Sequence, residues 1–367
     1  MKKLVLLLLS AILVFSGCKN SSTKKSRSID YAIAPMDKIL GTMTLDEKVA
    51  QMFIVTCPTV DAPIYAKQYK FSGYIFFGNH FKNSDPETFK SEIQACQDNS
   101  SIPMFMSVDE EGGTVTRASR YPQFREKPFP APRELYDAGG FSAIRKDAKE
   151  KSEFLKNLGI NLNFAPVCDI SQNPDDFIYN RTIGLDAEKT REYVRAVITE
   201  MNPAQMGSAL KHFPGYGGNA DTHTGLSVDK RPIEDFRESD FLPFKAGIEA
   251  GAKMVMVSHN IVECMDKTLP ASLSPDAHKI LREELGFEGV IITDDISMGA
   301  ITSFSGEENP AVAAILAGND MICLSGDFKP MIDAVTEAVK NGKISESRID
   351  ESVTRIIDYK RSLGFFK

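Results

Sequence analysis

Residues 253–295 read KMVMVSHNIVECMDKTLPASLSPDAHKILREELGFEGVIITDD and hold, in order, an apolar run, a helical pattern and a second apolar run. The runs are KMVMV (253–257) and GVIIT (289–293), each too short for a helix and each followed at once by polar residues. Ser258, His259 and Asn260 follow the first; Asp294 and Asp295 follow the second. Between the runs the spacing predicts a helix over 275–285, opened by Pro275. Strand, helix and strand in succession form the repeating unit of a parallel sheet.

The same unit recurs outward in both directions. Apolar runs at 50–56, 73–77, 103–108, 162–167, 206–210 and 320–324 bring the total to eight, with helical patterns over 86–97, 141–158, 187–201, 234–250 and 310–317 among them. A last helix is predicted over 346–361. Eight repeats in about 340 residues match an α/β fold, a single-domain (β/α)8 TIM-type barrel, better than an open sheet. Loops at the carboxyl ends of barrel strands converge on one pocket. Asp109, Asp169, Lys211, His212, His259, Asp294 and Asp295 all follow apolar runs and are expected there.

Composition narrows the function class. The chain has 367 residues, 42% hydrophobic and 25% charged, which suits a globular protein with a large core. Its net charge is −7 and no basic run follows residue 28, which argues against a nucleic-acid partner. Residues 1–17 read as a signal peptide, with Lys2 and Lys3 before an apolar stretch at 4–15 that is too short to span a membrane comfortably. FSGC (15–18) resembles a lipobox, although Phe15 stands where Leu is usual, so Cys18 is the expected lipidation site. Residues 18–30 are then a basic, disordered tether, and 31–367 the catalytic domain. The remaining cysteines, Cys57, Cys96, Cys168, Cys264 and Cys323, are odd in number and without a C-x-x-C pair, so they indicate neither zinc nor a disulfide framework. Cys57, Cys168 and Cys323 fall in apolar runs and are expected to be buried thiols.

KHFPGYGGNADTH (211–223) concentrates an ammonium, two imidazoles, a carboxylate and several glycines. Lys211 and His212 close the fifth run, Pro214 and Gly215 break it, and Gly217 and Gly218 are expected to act as a hinge. The residues alone leave open whether Asp221 and His223 cap a turn or bring a proton donor to a ligand. A metal site of His212, Asp221 and His223 is conceivable by residue type, but no metal-binding spacing supports it.

Five motifs in order carry a resemblance: VDEEGGTVTR (108–117), NFAPVCDI with NRTIG (163–184), KHFPGYGGNADTH, SHNI (258–261) and ITDDISMGAI (292–301). Together they resemble the bacterial β-N-acetylglucosaminidases of glycoside hydrolase family 3, from TLDEKVAQMF near residue 44 to RIDESVTRIIDYKRSLG near 348. The resemblance implies Asp294 as nucleophile, with Asp295 its competitor because strand alternation is not fixed by sequence. It implies His223 as acid/base, oriented by Asp221, in place of the glutamate that related two-domain glucosidases take from a second domain. Asp109, Arg117, Arg181, Lys211 and His212 would bind the sugar; as isolated residues, the two arginines and Lys211 could equally form structural ion pairs. His259 either lines the pocket or is a buried structural histidine. Two departures stand out: Tyr216 occupies a position where many members have His, and Thr222 stands where Ser is usual.

The expected activity is retaining exo-hydrolysis of terminal β-N-acetylglucosamine from peptidoglycan fragments or chitooligosaccharides, without cofactor or metal. The partners implied are a small carbohydrate and, through the lipid anchor, a membrane; a monomer is expected. A phosphorylase using the same Asp/His pair, another β-glycosidase of the family and a catalytically silent sugar-binding protein are the alternatives.

Overall fold

A computed structural model describes residues 29–222, 225–302 and 308–366. The expectations for residues 1–17, Cys18 and His223 lie outside the described residues. The main sheet contains β1 (Phe53–Thr56), β2 (Gly73–Phe76), β3 (Phe105–Val108), β4 (Leu162–Asn163), β5 (Gly207–Ser208) and β6 (Leu210–Phe213). Beyond a short ribbon of β7 (Val228–Asp229) with β9 (Ile261–Val262), it is completed by β8 (Met254–Val257), β10 (Val290–Asp295) and β11 (Met321–Leu324).

Every pairing is parallel, in the order β5-β4-β3-β2-β1-β11-β10-β8-β6. The two ends of that order are consecutive in the chain, separated by Ala209 alone, so the sheet closes on itself. This is the expected (β/α)8 barrel, its fifth strand in two segments. Every residue of β2, β3, β8 and β11 is buried, as parallel strands covered on both faces require. Each fully buried aliphatic side chain contributes about 1.5–3 kcal/mol, which explains unbroken apolar runs in place of alternation.

The helices lie largely where their periodicity and caps put them. Asp186 accepts from the Lys189 N–H to start Ala187–Met201, and Asn309 with Pro310 starts Pro310–Ala317. One differs: the helix expected over 141–158 spans Pro132–Asn157, broken at Gly139 and Gly140, so a short helix precedes the break. A second difference bears on the site. The fifth strand continues to Phe213, so Lys211 and His212 stand inside it. The cysteines in the described residues are free; Cys57, Cys96, Cys168 and Cys323 are buried and Cys264 is exposed.

The terminal helix Glu346–Ser362 closes the amino end of the barrel. Tyr359 Oη accepts from the Ser208 N–H at 2.8 Å and donates to its carbonyl at 2.9 Å, while Lys360 Nζ donates to Gln51 Oε1 at 2.8 Å. With one end plugged, the strands present their carboxyl ends to the other.

Candidate active site

A cavity of about 630 Å³ opens at the carboxyl ends of the strands. It is lined by Asp109 after β3, by Lys211 and His212 of β6, and by Asp294 of β10. Arg117 and Asp221 reach it from loops, and Arg181 from a short 3-10 turn, Tyr179–Arg181. Every described residue assigned above to catalysis or sugar binding lines the cavity, whereas Asp169 and His259, also expected there, are buried behind the lining, bonded to His212 and to the Asp295 carbonyl respectively.

The cavity wall is a connected charge network. Lys211 Nζ lies 2.7 Å from Asp109 Oδ1 and 2.6 Å from Glu111 Oε1. Arg181 grips Glu111 with two bonds, Nε to Oε2 at 2.9 Å and Nη2 to Oε1 at 2.7 Å. Arg181 Nη2 also lies 3.0 Å from His212 Nε2, and His212 Nδ1 lies 2.7 Å from Asp169 Oδ2. Arg117 approaches Asp109 at 3.9 Å and stands over the Phe77 ring. The ion-pair arrangement is what the distances show: the groups facing the cavity are fixed by pairing with one another. Both nitrogens of His212 are engaged, so it is not placed to ligate a metal.

Burial is the strongest influence on Glu111 and pushes its carboxyl up, yet Arg181 and Lys211 outweigh it and hold the carboxyl well below the usual range. Burial likewise lowers Lys211, but Asp109 and Glu111 prevail and raise it. These residues face the cavity as charges.

The adjacent aspartates of β10 differ sharply. Register slips between β10 and β11, three steps from Ile292 to Asp295 opposing two from Met321 to Cys323, and such a bulge re-aims side chains at a strand end. Asp295 Oδ1 is occupied by the Ser297 N–H at 3.0 Å, the Ser297 hydroxyl at 2.7 Å and the Ser325 N–H at 3.0 Å. Asp294 Oδ1 accepts from the Asp295 N–H at 2.8 Å. Burial pushes the Asp294 carboxyl up most, but His212, His259, the Asp295 N–H and Lys211 together hold it below the usual range. Both aspartates line the cavity; Asp294 is held as a carboxylate suited to nucleophilic attack, whereas one oxygen of Asp295 is tied into the loop.

Sequence reasoning left several contributors unassigned. Glu111 appears in the sequence only as part of the VDEEGGTVTR motif, although Lys211 and Arg181 converge on it. Its neighbour Glu110 is buried and accepts from the N–H groups of Arg117 and Ala118, holding Arg117's loop. Gly112 makes the turn with φ 108°, and a Cβ there would meet the Pro130 carbonyl oxygen at 2.2 Å. Phe177 lines the cavity and sets its ring, tilted, 5.7 Å from that of Tyr216, a contact with no signal in the local sequence. His259 is fully buried, bonded to Ser272 Oγ at 2.7 Å and to the Asp295 carbonyl at 3.0 Å, which makes it a support beneath β10.

The expected hinge resolves into two unlike glycines. Gly217 has φ 55° and an added Cβ would lie 2.7 Å from Arg231 Nη2; Gly218 has an ordinary φ and its nearest neighbour would be 3.5 Å away. Arg231 is itself clamped between Asp229 at 2.8 Å and Asp240 at 2.9 Å.

Known proteins match the chain over most of its length. The sequence profile of the glycosyl hydrolase family 3 N-terminal domain matches residues 44–359. A protein named beta-hexosaminidase LpqI, from Mycobacterium tuberculosis, is 30% identical over 326 residues, covering 86% of this chain and 82% of that protein. Among solved structures, a glycoside hydrolase family 3 β-N-acetylglucosaminidase from Paenibacillus gives a TM-score of 0.81 at 30% identity, covering 88% of this chain and 63% of the other. M. tuberculosis LpqI gives 0.81 at 28% identity, covering 89% and 96%. Barrel, cavity and sequence profile agree: the chain belongs to glycosyl hydrolase family 3.

Proposed function

We propose that the protein is a retaining exo-β-N-acetylglucosaminidase that removes terminal N-acetylglucosamine from peptidoglycan fragments or chitooligosaccharides. Asp294 attacks the anomeric carbon as the glycosidic bond breaks, and His223, held by Asp221, gives its proton to the departing oxygen. His223 then takes a proton from water, which displaces Asp294 and releases the sugar with its configuration retained. Asp109, Arg117, Arg181, Lys211 and His212 bind the sugar through charge-assisted hydrogen bonds.

The observation that carries this reading is the placement of Asp294 in one cavity with the Asp109–Lys211–Glu111–Arg181 network, while one carboxylate oxygen of the neighbouring Asp295 is engaged by Ser297 and Ser325. The beta-hexosaminidase and β-N-acetylglucosaminidase names of the relatives support the substrate class. Asp294→Ala is expected to abolish release of a chromogenic aglycone from a β-N-acetylglucosaminide, and unchanged turnover would overturn the assignment. Initial rates equal with and without phosphate, with free N-acetylglucosamine as product, separate hydrolysis from phosphorolysis.

The export reading rests on residues 1–18. A signal peptide of residues 1–17, a lipidated Cys18 and a tether to residue 30 would hold the 31–367 catalytic domain at a membrane surface outside the cytoplasm. Cys18→Ala should shift the protein out of the membrane fraction; retention there by the variant would refute the anchor.

A further inference from the structure

The two departures from the family pattern, Tyr216 and Thr222, touch. Tyr216 Oη lies 2.6 Å from Thr222 Oγ1 and accepts from the Thr222 N–H at 2.9 Å. Both residues are buried: Tyr216 retains 2% of its exposure and Thr222 none. The third polar group of Thr222, its carbonyl, accepts from the Ala300 N–H at 3.1 Å, within the segment that follows Asp294 and Asp295. All three polar groups of Thr222 are therefore committed.

Tyr216 is fixed as firmly. Its N–H donates to Asp169 Oδ1 at 2.8 Å, while the other oxygen of Asp169 holds His212. Its ring meets His212 edge-on at 5.7 Å and Phe177 at 5.7 Å. Burial pushes the Tyr216 phenol up to about 12, so it remains a neutral hydroxyl at working pH. An unbroken series of contacts thus runs from Arg181 and His212 in the sugar network, through Asp169 and Tyr216, to Thr222 and the segment after Asp294.

We propose that Tyr216 and Thr222 form a clasp that fixes Asp221, the residue assigned to orient the acid/base, relative to the strand bearing Asp294. Both are positioning residues: neither touches the reacting atoms, and Thr222 acts because it is the covalent link between Asp221 and His223. The clasp rests on the acid/base reading of Asp221 and His223. Tyr and Thr also suit each other chemically. The phenol takes the Thr222 N–H on one lone pair and shares a proton with the Thr222 hydroxyl, so truncating either partner breaks the arrangement.

The test compares kcat/KM for two β-N-acetylglucosaminides, one with a poor phenolic leaving group and one with a dinitrophenyl group that departs without a proton. kcat/KM reports steps through bond cleavage and so isolates proton donation from the later attack of water. In Tyr216→Phe and Thr222→Val, the poor leaving group should lose about tenfold or more, and the dinitrophenyl substrate much less. Inhibition by free N-acetylglucosamine should stay within about twofold of the parent enzyme, because the sugar network is intact. Thr222→Ser, which keeps the hydroxyl and the N–H, should restore the parent values.

Equal losses on both substrates, or Thr222→Ser behaving like Thr222→Val, would reduce the pair to a structural contact and overturn the clasp. Thr222→Val keeps the N–H bond to Tyr216, so it remains informative should Tyr216→Phe fold poorly. His223→Ala separates the two ideas. If that variant keeps full activity on the poor leaving group, the acid/base reading itself fails; if it loses activity while the clasp variants do not, only the clasp fails.

Discussion

Glu111 lies between two cations in a region without water's screening, and its neighbours depend on it. Its side chain is nearly inaccessible, with Lys211 at 2.6 Å and Arg181 bonded twice. Replacing it by Gln leaves two buried cations undercompensated, a change that typically costs about 3–5 kcal/mol. Glu111→Gln is therefore expected to lower thermal stability by that order in a denaturation experiment, before any effect on turnover. The pH dependence follows from the direction of the shift. Burial raises the carboxyl, Arg181 and Lys211 outweigh it, and the folded value falls below the unfolded one near 4.3. Its stabilising contribution is complete above that pH and is lost as pH falls further, so the acid limb of the stability curve should be shallower in Glu111→Gln. Nothing in VDEEGG distinguishes Glu110 from Glu111, because one anchors backbone N–H groups and the other meets residues 70 and 100 positions away. Strand position was legible in the sequence; pairing across strands was not.

At the scale of elements, the loop from Gly215 to Thr222 is held at both ends by different means. Asn219 Nδ2 donates to the Tyr216 carbonyl and to Asp229 Oδ2, each at 2.7 Å, linking the loop to the β7–β9 ribbon. Gly217 packs on Arg231 with a left-handed φ, so Gly217→Ala should cost about 1–2 kcal/mol of stability. Gly218→Ala should be nearly neutral in the same thermal assay, since its site offers ordinary contact distances. A hinge would give another result: both variants would lose turnover while keeping stability. The glycine pair was visible in the sequence, but the difference between its members depends on Arg231, which is placed by Asp229 and Asp240. Helix ends marked by local caps were read closely. The helix before Gly139 and the extension of the fifth strand through Lys211 and His212 depend on tertiary packing and were not.

At the scale of the whole molecule, the barrel separates chemistry at its carboxyl end from stability at its amino end. Lys360 tests that separation. It is fully buried beneath the strands, donates to Gln51 Oε1 at 2.8 Å and stands over Phe105, far in sequence from every cavity residue. Burial holds its pKa well below the usual lysine range. The unfolded chain consequently keeps a proton at pH values where the folded protein has lost it, and stability rises with pH through that window, between the folded value and the unfolded value near 10.4. Lys360→Met removes this slope. Its absolute effect sets two terms against each other: replacing a buried ionisable group with an apolar one gains about 1–4 kcal/mol, and leaving Gln51 Oε1 without its donor costs about 1–3 kcal/mol. These nearly cancel, so the slope is the more telling measurement. Thermal unfolding between pH 6 and pH 10 should show a flatter profile for Lys360→Met than for the parent, with kcat/KM per folded molecule unchanged. A parallel profile would mean that Gln51 and Phe105 keep the ammonium charged inside the barrel, whereas a fall in kcat/KM would mean that the two ends of the barrel are mechanically coupled.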